Sequence, residues 1–224
     1  MKESINAIFF DLDGTLLDTA PDLAFALNTI LVEQQRAPLP FEQIRPWVSF
    51  GARTMIKQAF QITDPADPWL EPLRQRFLKI YAENLANQTR LFVGMEEVLA
   101  ILEQQKISWG IVTNKPTWLT IPLLEKLGLA NRSVCNVSGD TLALNKPHPA
   151  PLFHACQLAN CIPENCIYVG DALRDIEAGQ RAGMQTVVAL YGYIGEEEKP
   201  AQWGATGMIS QPLDLLAWVT TYTQ

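Results

Sequence analysis

The chain has few histidines. Among its 224 residues there are only two, His148 and His154. That scarcity argues against a hydrolase built on a histidine base and against a His-rich zinc site, and it leaves acid–base chemistry to carboxylates. The four cysteines, Cys135, Cys156, Cys161 and Cys166, form no Cys-x-x-Cys pair. They read as small buried apolar residues or surface thiols in a reducing compartment. Basic residues are outnumbered, 17 Lys and Arg against 24 Asp and Glu, for a net charge of −7. With no basic stripe, neither a nucleic acid nor a membrane is expected as a partner. No apolar run approaches the length of a bilayer span. Residues Met1–Asn6 do not open a secretory leader, because the apolar run that follows is cut by Asp11 and Asp13; a cytoplasmic protein is expected.

What is present is an alternation of strand-like and helix-like segments. A strand is expected over 7–10. After it comes a long stretch, 20–87, whose apolar residues fall at helical spacing and whose connections carry Pro38, Pro40, Pro65 and Pro68. Helices are expected there over 22–36, 41–48, 52–60 and 69–85. In the first, Leu23, Ala26, Leu27, Ile30 and Leu31 make the stripe; in the last, Leu70, Leu73, Phe77, Ile80 and Tyr81 do. From about residue 94 strands and helices alternate again. Strands are expected over 107–113, 133–137, 166–169, 186–190 and within 203–209. Helices are expected over 95–105, 119–127, 150–158, 175–182 and 213–222. Such alternation implies an α/β fold, a doubly wound parallel sheet with helices on both faces. The helical stretch breaks the pattern and reads as an all-helical insertion after the first strand.

Acids stand at the ends of two of these strands. Ala7-Ile8-Phe9-Phe10 runs into Asp11-Leu12-Asp13-Gly14-Thr15, and Ile167-Tyr168-Val169 into Gly170-Asp171-Ala172-Leu173-Arg174-Asp175. The carboxyl ends of parallel strands are where α/β sheets bind ligands. Four carboxylates meeting there call for a hard cation, and Mg²⁺ is the usual one. A carboxylate can also attack phosphorus as a nucleophile, and a second can move the proton. Gly14 permits a sharp turn, and the Thr15 hydroxyl can serve an incoming oxyanion.

Phe10-Asp11-Leu12-Asp13-Gly14-Thr15-Leu16 resembles the first motif of the haloacid dehalogenase superfamily. Ile111-Val112-Thr113-Asn114 resembles its second, Lys146 in Asn145-Lys146-Pro147 its third, and Gly170–Asp175 its fourth, in the same order along the chain. The likeness spans nearly the whole sequence and is nearest to the phosphoglycolate phosphatase-like branch, with a Rossmann-like core over 1–16 and 90–224 and a helical cap over 17–89. It implies an Mg²⁺-dependent phosphatase acting on a small-molecule phosphate ester, as a monomer or homodimer. Asp11 is then the nucleophile and Asp13 the acid–base group. Asp11, Asp171 and the Asp13 carbonyl hold the metal. Thr113 and Lys146 hold the phosphate, with Asn114 and Thr15 in support. Asp175 acts on Lys146 or a metal-bound water, or caps its helix, or both.

Gly51-Ala52-Arg53 stands at an expected helix start; Arg53 reads either as a substrate-contacting cation or as an exposed helix residue. Trp47 and Phe50 line a sugar-sized pocket or belong to the core. Gly51-Ala52-Arg53, Val112–Pro116, Tyr191-Gly192-Tyr193-Ile194 and Trp203-Gly204-Ala205 resemble the related N-acetylmuramic acid 6-phosphate phosphatases, so that ester stands beside 2-phosphoglycolate as a substrate. A sugar phosphomutase on the same fold is the alternative function. A dehalogenase would lack Asp13, and a phosphorylated receiver-like module leaves both Asp13 and the helical insertion unexplained.

Overall fold

The computed structural model describes residues 5–221. The strands and helices follow in chain order: β1 (Ala7–Phe10), β2 (Leu17–Asp18), α1 (Ala20–Glu33), α2 (Phe41–Ile44), α3 (Gly51–Phe60), α4 (Leu70–Glu83), β3 (Arg90–Leu91), α5 (Met95–Gln104), β4 (Ser108–Val112), α6 (Thr117–Lys126), β5 (Asn136–Val137), α7 (Ala150–Ala159), β6 (Cys166–Gly170), α8 (Leu173–Ala182), β7 (Gln185–Ala189), β8 (Gly207–Ile209) and α9 (Leu215–Thr221). Six strands form one parallel sheet in the order β5-β4-β1-β6-β7-β8. The chain leaves β1 toward β4 and β5 and returns to its other side at β6, so the order reverses at β1.

Alternation along β1 divides the core. Ala7 and Phe9 join an apolar cluster with Leu152 and Ala155 of α7 and Ala178 and Ala182 of α8. Ile8 and Phe10 join the opposite cluster with α5, α6 and α9. Side chains at successive strand positions point to opposite faces, so four residues serve two layers. The doubly wound α/β expectation therefore holds.

The helical stretch packs on the second cluster. The five apolar residues of the α4 stripe, Leu70, Leu73, Phe77, Ile80 and Tyr81, are its buried ones. Two expected boundaries shift for local reasons. The helix expected over 41–48 stops as α2 at Ile44 and continues as a tighter 3₁₀ segment over Arg45–Phe50, because Pro46 has no N–H to give to an α-helical ladder. The helix expected from Asp22 begins at Ala20, with Pro21 in its first turn, where a missing N–H costs nothing. The strand expected over 133–137 is confined to Asn136–Val137, and that within 203–209 to Gly207–Ile209. Of the last expected helix, Tyr222 lies outside the described residues, as do Met1–Ser4.

The two crossings between sheet and helical stretch lie side by side. β2 and β3 pair antiparallel, Leu17 with Leu91 and Asp18 with Arg90. Beside them, buried Asp22 accepts from Gln88 N at 2.9 Å, Thr89 N at 3.0 Å and the Thr89 hydroxyl at 2.7 Å. A pairing of two residues a side is too short to announce itself by periodicity, and one carboxylate does much of the tying. Asp22→Ala leaves the buried Thr89 N–H and hydroxyl without that acceptor and is expected to lower unfolding stability by about 2–4 kcal/mol. Urea titration of the variant beside the wild type checks this; an unchanged midpoint counts against it.

Candidate active site

The register that pairs Phe10 with both Ile111 and Val169 brings the ends of β1, β4 and β6 together. Asp11, Thr113 and Asp171 follow those ends. The Asp11 backbone N–H continues the ladder by donating to Val169 O at 2.9 Å. Lys146 arrives from the loop before α7, and its side chain is wholly buried. Its ammonium lies 2.8 Å from Asp11 Oδ1 and 2.8 Å from Asp175 Oδ1. It also donates to Val112 O at 2.9 Å and to the Tyr168 hydroxyl at 2.7 Å. Asn114 fixes the base of that loop through a reciprocal pair: its amide donates to Lys146 O at 3.0 Å and its oxygen accepts from Lys146 N at 3.1 Å.

Asp175 sits in the first turn of α8. One carboxylate oxygen accepts from Ala172 N at 3.1 Å and the other faces Lys146. Asp171 is buried and receives three donors: the Thr15 hydroxyl at 3.1 Å, the Ser49 hydroxyl at 3.1 Å and Tyr193 N at 2.8 Å. The Thr15 hydroxyl is thus spent on Asp171. Ligand atoms of Asp11, Asp171 and Asp175 all fall within 4.8 Å of one another. Three carboxylates converge, not four. The Asp13 side chain turns away, to Lys115 Nζ at 3.0 and 3.2 Å and to the Thr19 hydroxyl at 2.6 Å.

These neighbours set the charge states. Burial works to raise Asp11, but Lys146, with Arg174 behind it, outweighs burial and holds the carboxyl below its usual range. Asp171 has no ammonium beside it. Burial, with Asp11 and then Asp175 adding to it, pushes it up to about 7. Asp175 is raised as well, by burial first, with Lys146 opposing. The cluster is short of positive charge, and its donors are hard oxygens, which suits a divalent cation such as Mg²⁺. Gly14 keeps the approach open: its φ is +89°, and a Cβ there would lie 2.3 Å from Asp171 Oδ2. Gly192 closes the other side, where a Cβ would come 2.3 Å from Asp171 Cβ.

A second convergence lies across the sheet, where the sulfurs of Cys156, Cys161 and Cys166 fall within 4.8 Å of one another. All three are free thiols in the apolar layer under α7, and burial pushes Cys161 up to about 11.

A cavity of about 510 Å³ separates the carboxyl edge of the sheet from the helical stretch. Asp11, Asp13, Thr113, Lys115 and Arg174 line it from the sheet side, and Phe50, Arg53, Arg74 and Leu78 from the helical side. Arg53 is exposed and donates to Pro65 O at 2.7 Å. Phe50 borders the cavity, whereas Trp47 packs against the core.

Several residues here escaped the sequence reading. Arg174, inside the fourth motif, lines the cavity beside Asp11, its side chain without a hydrogen bond or ion pair among the described residues. Ser49 reaches Asp171 from the helical stretch. Arg45 joins it, donating at 2.9 Å to both Gly192 O and Tyr191 O and lying over the Tyr193 ring. The Tyr193 hydroxyl in turn donates to Asp18 at 2.7 Å. Nothing in the local pattern marks these as a group; the available signal was the Tyr191–Ile194 segment, which stood out without a role.

Comparison with known proteins places the chain in a family. The family profile described as "Haloacid dehalogenase-like hydrolase" matches residues 8–189. An N-acetylmuramic acid 6-phosphate phosphatase of Pseudomonas putida is 42% identical over 211 residues, covering 94% of this chain and 94% of its own. A phosphoglycolate phosphatase of Xanthomonas campestris pv. campestris is 44% identical over 209 residues, covering 93% and 94%. The crystal structure of a predicted phosphoglycolate phosphatase from Haemophilus somnus superposes with a TM-score of 0.84 at 29% identity, covering 96% of this chain and 97% of that one. A profile matched from the first sheet strand through β7, two relatives aligned almost end to end and a shared fold lead to one conclusion: the chain belongs to the haloacid dehalogenase-like hydrolases.

Proposed function

We propose that this chain is a phosphatase that cleaves a small phosphomonoester through an aspartyl-phosphate intermediate on Asp11. The observation that carries the reading is the pair of aspartates two residues apart in opposite settings. Asp11 is ionised against Lys146 at the floor of the cavity, and Asp13 is held apart from the acid cluster, on the cavity wall beside Lys115. The names of the relatives support the same class of reaction.

The steps follow from those positions. The Asp11 oxygen not held by Lys146 attacks phosphorus, and the ester P–O bond breaks. Asp13 gives its proton to the departing oxygen. It then takes a proton from water, whose oxygen attacks phosphorus and frees Asp11 and inorganic phosphate. Lys146, Thr113 and Arg174 hold the phosphoryl oxygens and offset their charge. Asp11, Asp171 and the Asp13 carbonyl are the groups that would hold Mg²⁺, with Asp175 behind them, and the ion when bound would add Lewis-acid stabilisation of the phosphoryl oxygens. Residues 17–89 act as the cap that excludes water and selects the leaving group, with 1–16 and 90–224 as the catalytic core.

The relatives carry two substrates at nearly equal identity, 42% for the muramic acid ester and 44% for phosphoglycolate. A cavity of about 510 Å³ is of the size that takes ligands larger than a two-carbon acid. Its volume favours the sugar phosphate.

Asp11→Asn is expected to abolish hydrolysis of 4-nitrophenyl phosphate with the circular dichroism spectrum unchanged; turnover near wild type would remove the covalent step. In kcat/KM, N-acetylmuramic acid 6-phosphate should exceed 2-phosphoglycolate, and free phosphate should appear without a bisphosphate primer, as it would not for a mutase. The raised Asp171 also makes stability depend on pH. Between the ordinary carboxylate range and about 7 the folded state binds a proton that the unfolded chain has lost, so on this account the metal-free protein becomes less stable as pH rises through that window. Mg²⁺ requires the ionised form. Thermal scans with and without Mg²⁺ should show a larger rise in Tm at pH 7.5 than at pH 5; an equal rise at both would count against Asp171 as a ligand.

A further inference from the structure

Lys115 follows the second motif by two residues and has no part in the steps above. Its backbone is fixed on both sides: N donates to Thr113 Oγ1 at 3.2 Å, and O accepts from Gly139 N at 2.8 Å and from the Thr120 hydroxyl at 3.2 Å. Its side chain is only 6% exposed and crosses the cavity wall to Asp13, whose own side chain is 21% exposed. Nζ lies 3.0 Å from Asp13 Oδ1, 3.2 Å from Asp13 Oδ2 and 3.0 Å from the Tyr81 hydroxyl, and 4.5 Å above the centre of the Tyr81 ring. An ammonium has three N–H donors. All three are engaged, two with the Asp13 carboxylate and one with Tyr81. Tyr81 belongs to α4, in the helical stretch, and burial raises its phenol to about 12, so it stays neutral and can accept.

We propose that Lys115 is the positioning residue of Asp13, and that Tyr81 makes this positioning depend on the seating of α4 against the sheet. The inference rests on the reading of Asp13 as the acid–base group. With Lys115 in place both Asp13 oxygens are fixed. Without it the Thr19 hydroxyl holds Oδ1 alone, and the carboxyl is free to turn about that contact. Proton transfer demands hydrogen-bond geometry at the leaving oxygen, and a displacement of about 1 Å costs on the order of 100-fold in rate. When α4 lifts, Lys115 loses one of its three hydrogen bonds and its aromatic platform, both supplied by Tyr81. The acid–base group is then set correctly only when the cavity is covered.

The test separates esters by leaving group. An alkyl ester needs its leaving oxygen protonated, whereas 4-nitrophenolate departs without help. kcat/KM, which reports the first chemical step, is measured for 4-nitrophenyl phosphate and for whichever of N-acetylmuramic acid 6-phosphate and 2-phosphoglycolate turns over faster. Lys115→Met is expected to lower the alkyl ester about 100-fold and the nitrophenyl ester less than about 10-fold. Tyr81→Phe, which deletes one oxygen and is expected to fold if Lys115→Met does not, should shift the ratio in the same direction by less. Equal losses on both esters, or none, overturn the proposal. Asp13→Asn, measured alongside, tells the two failures apart. If it discriminates between the esters and the Lys115 and Tyr81 variants do not, only the positioning role falls. If Asp13→Asn does not discriminate, the acid–base reading itself falls.

Discussion

One fully buried lysine holds the centre of this protein together. Lys146 places its ammonium 2.8 Å from two carboxylates, at the point where three parallel strands end. Removing such charges from water costs several kcal/mol each, and only close pairing and further hydrogen bonds recover it. The surroundings supply both: Val112 O, the Tyr168 hydroxyl and the Asn114 amide fix the lysine or its loop. The balance is nevertheless incomplete. Three acids face one ammonium and the less intimate Arg174, and the deficit falls on Asp171. A carboxylate site short of one cation is suited to a divalent metal.

The rest of the architecture serves that cluster. Asp171 is tied from the first loop by Thr15, from the last connection by Tyr193 N and from the helical stretch by Ser49. The helical stretch therefore touches the acid cluster directly, and Arg45 reinforces the contact on the carbonyls of Tyr191 and Gly192. Beneath, one apolar cluster runs without a break from α1, α3 and α4 to the sheet. The segment that borders the cavity from the helical side thus also contributes hydrogen bonds around the acids.

Much of this was legible in the sequence where the physics is local. The α4 stripe is buried residue for residue as its spacing implied, because a helix of 3.6 residues per turn has one face to hide. Likewise, β1 is wholly buried, as a short apolar run bounded by acids suggests. Pro46 and the paired crossings at β2 and β3 were less legible. The first alters a helix without ending it, and the second depends on segments far apart in the chain meeting at all.

Acids at the ends of buried strands, a parallel sheet covered on both faces and a helical stretch that interrupts it are all legible in the chain alone. Strand and helix periods and turn chemistry act over a few residues, so a single chain carries them openly. How the acids divide is settled by the assembled fold. Asp11, Asp171 and Asp175 gather, the first and last of them on Lys146, while Asp13, two residues from Asp11, turns to Lys115, which Tyr81 also contacts. That division follows from sheet order: with β1 between β4 and β6, one side of its end faces Asp171 and the other the loop after β4. No local pattern encodes which side chain takes which side, since the choice is made by charges that meet only when the strands are assembled.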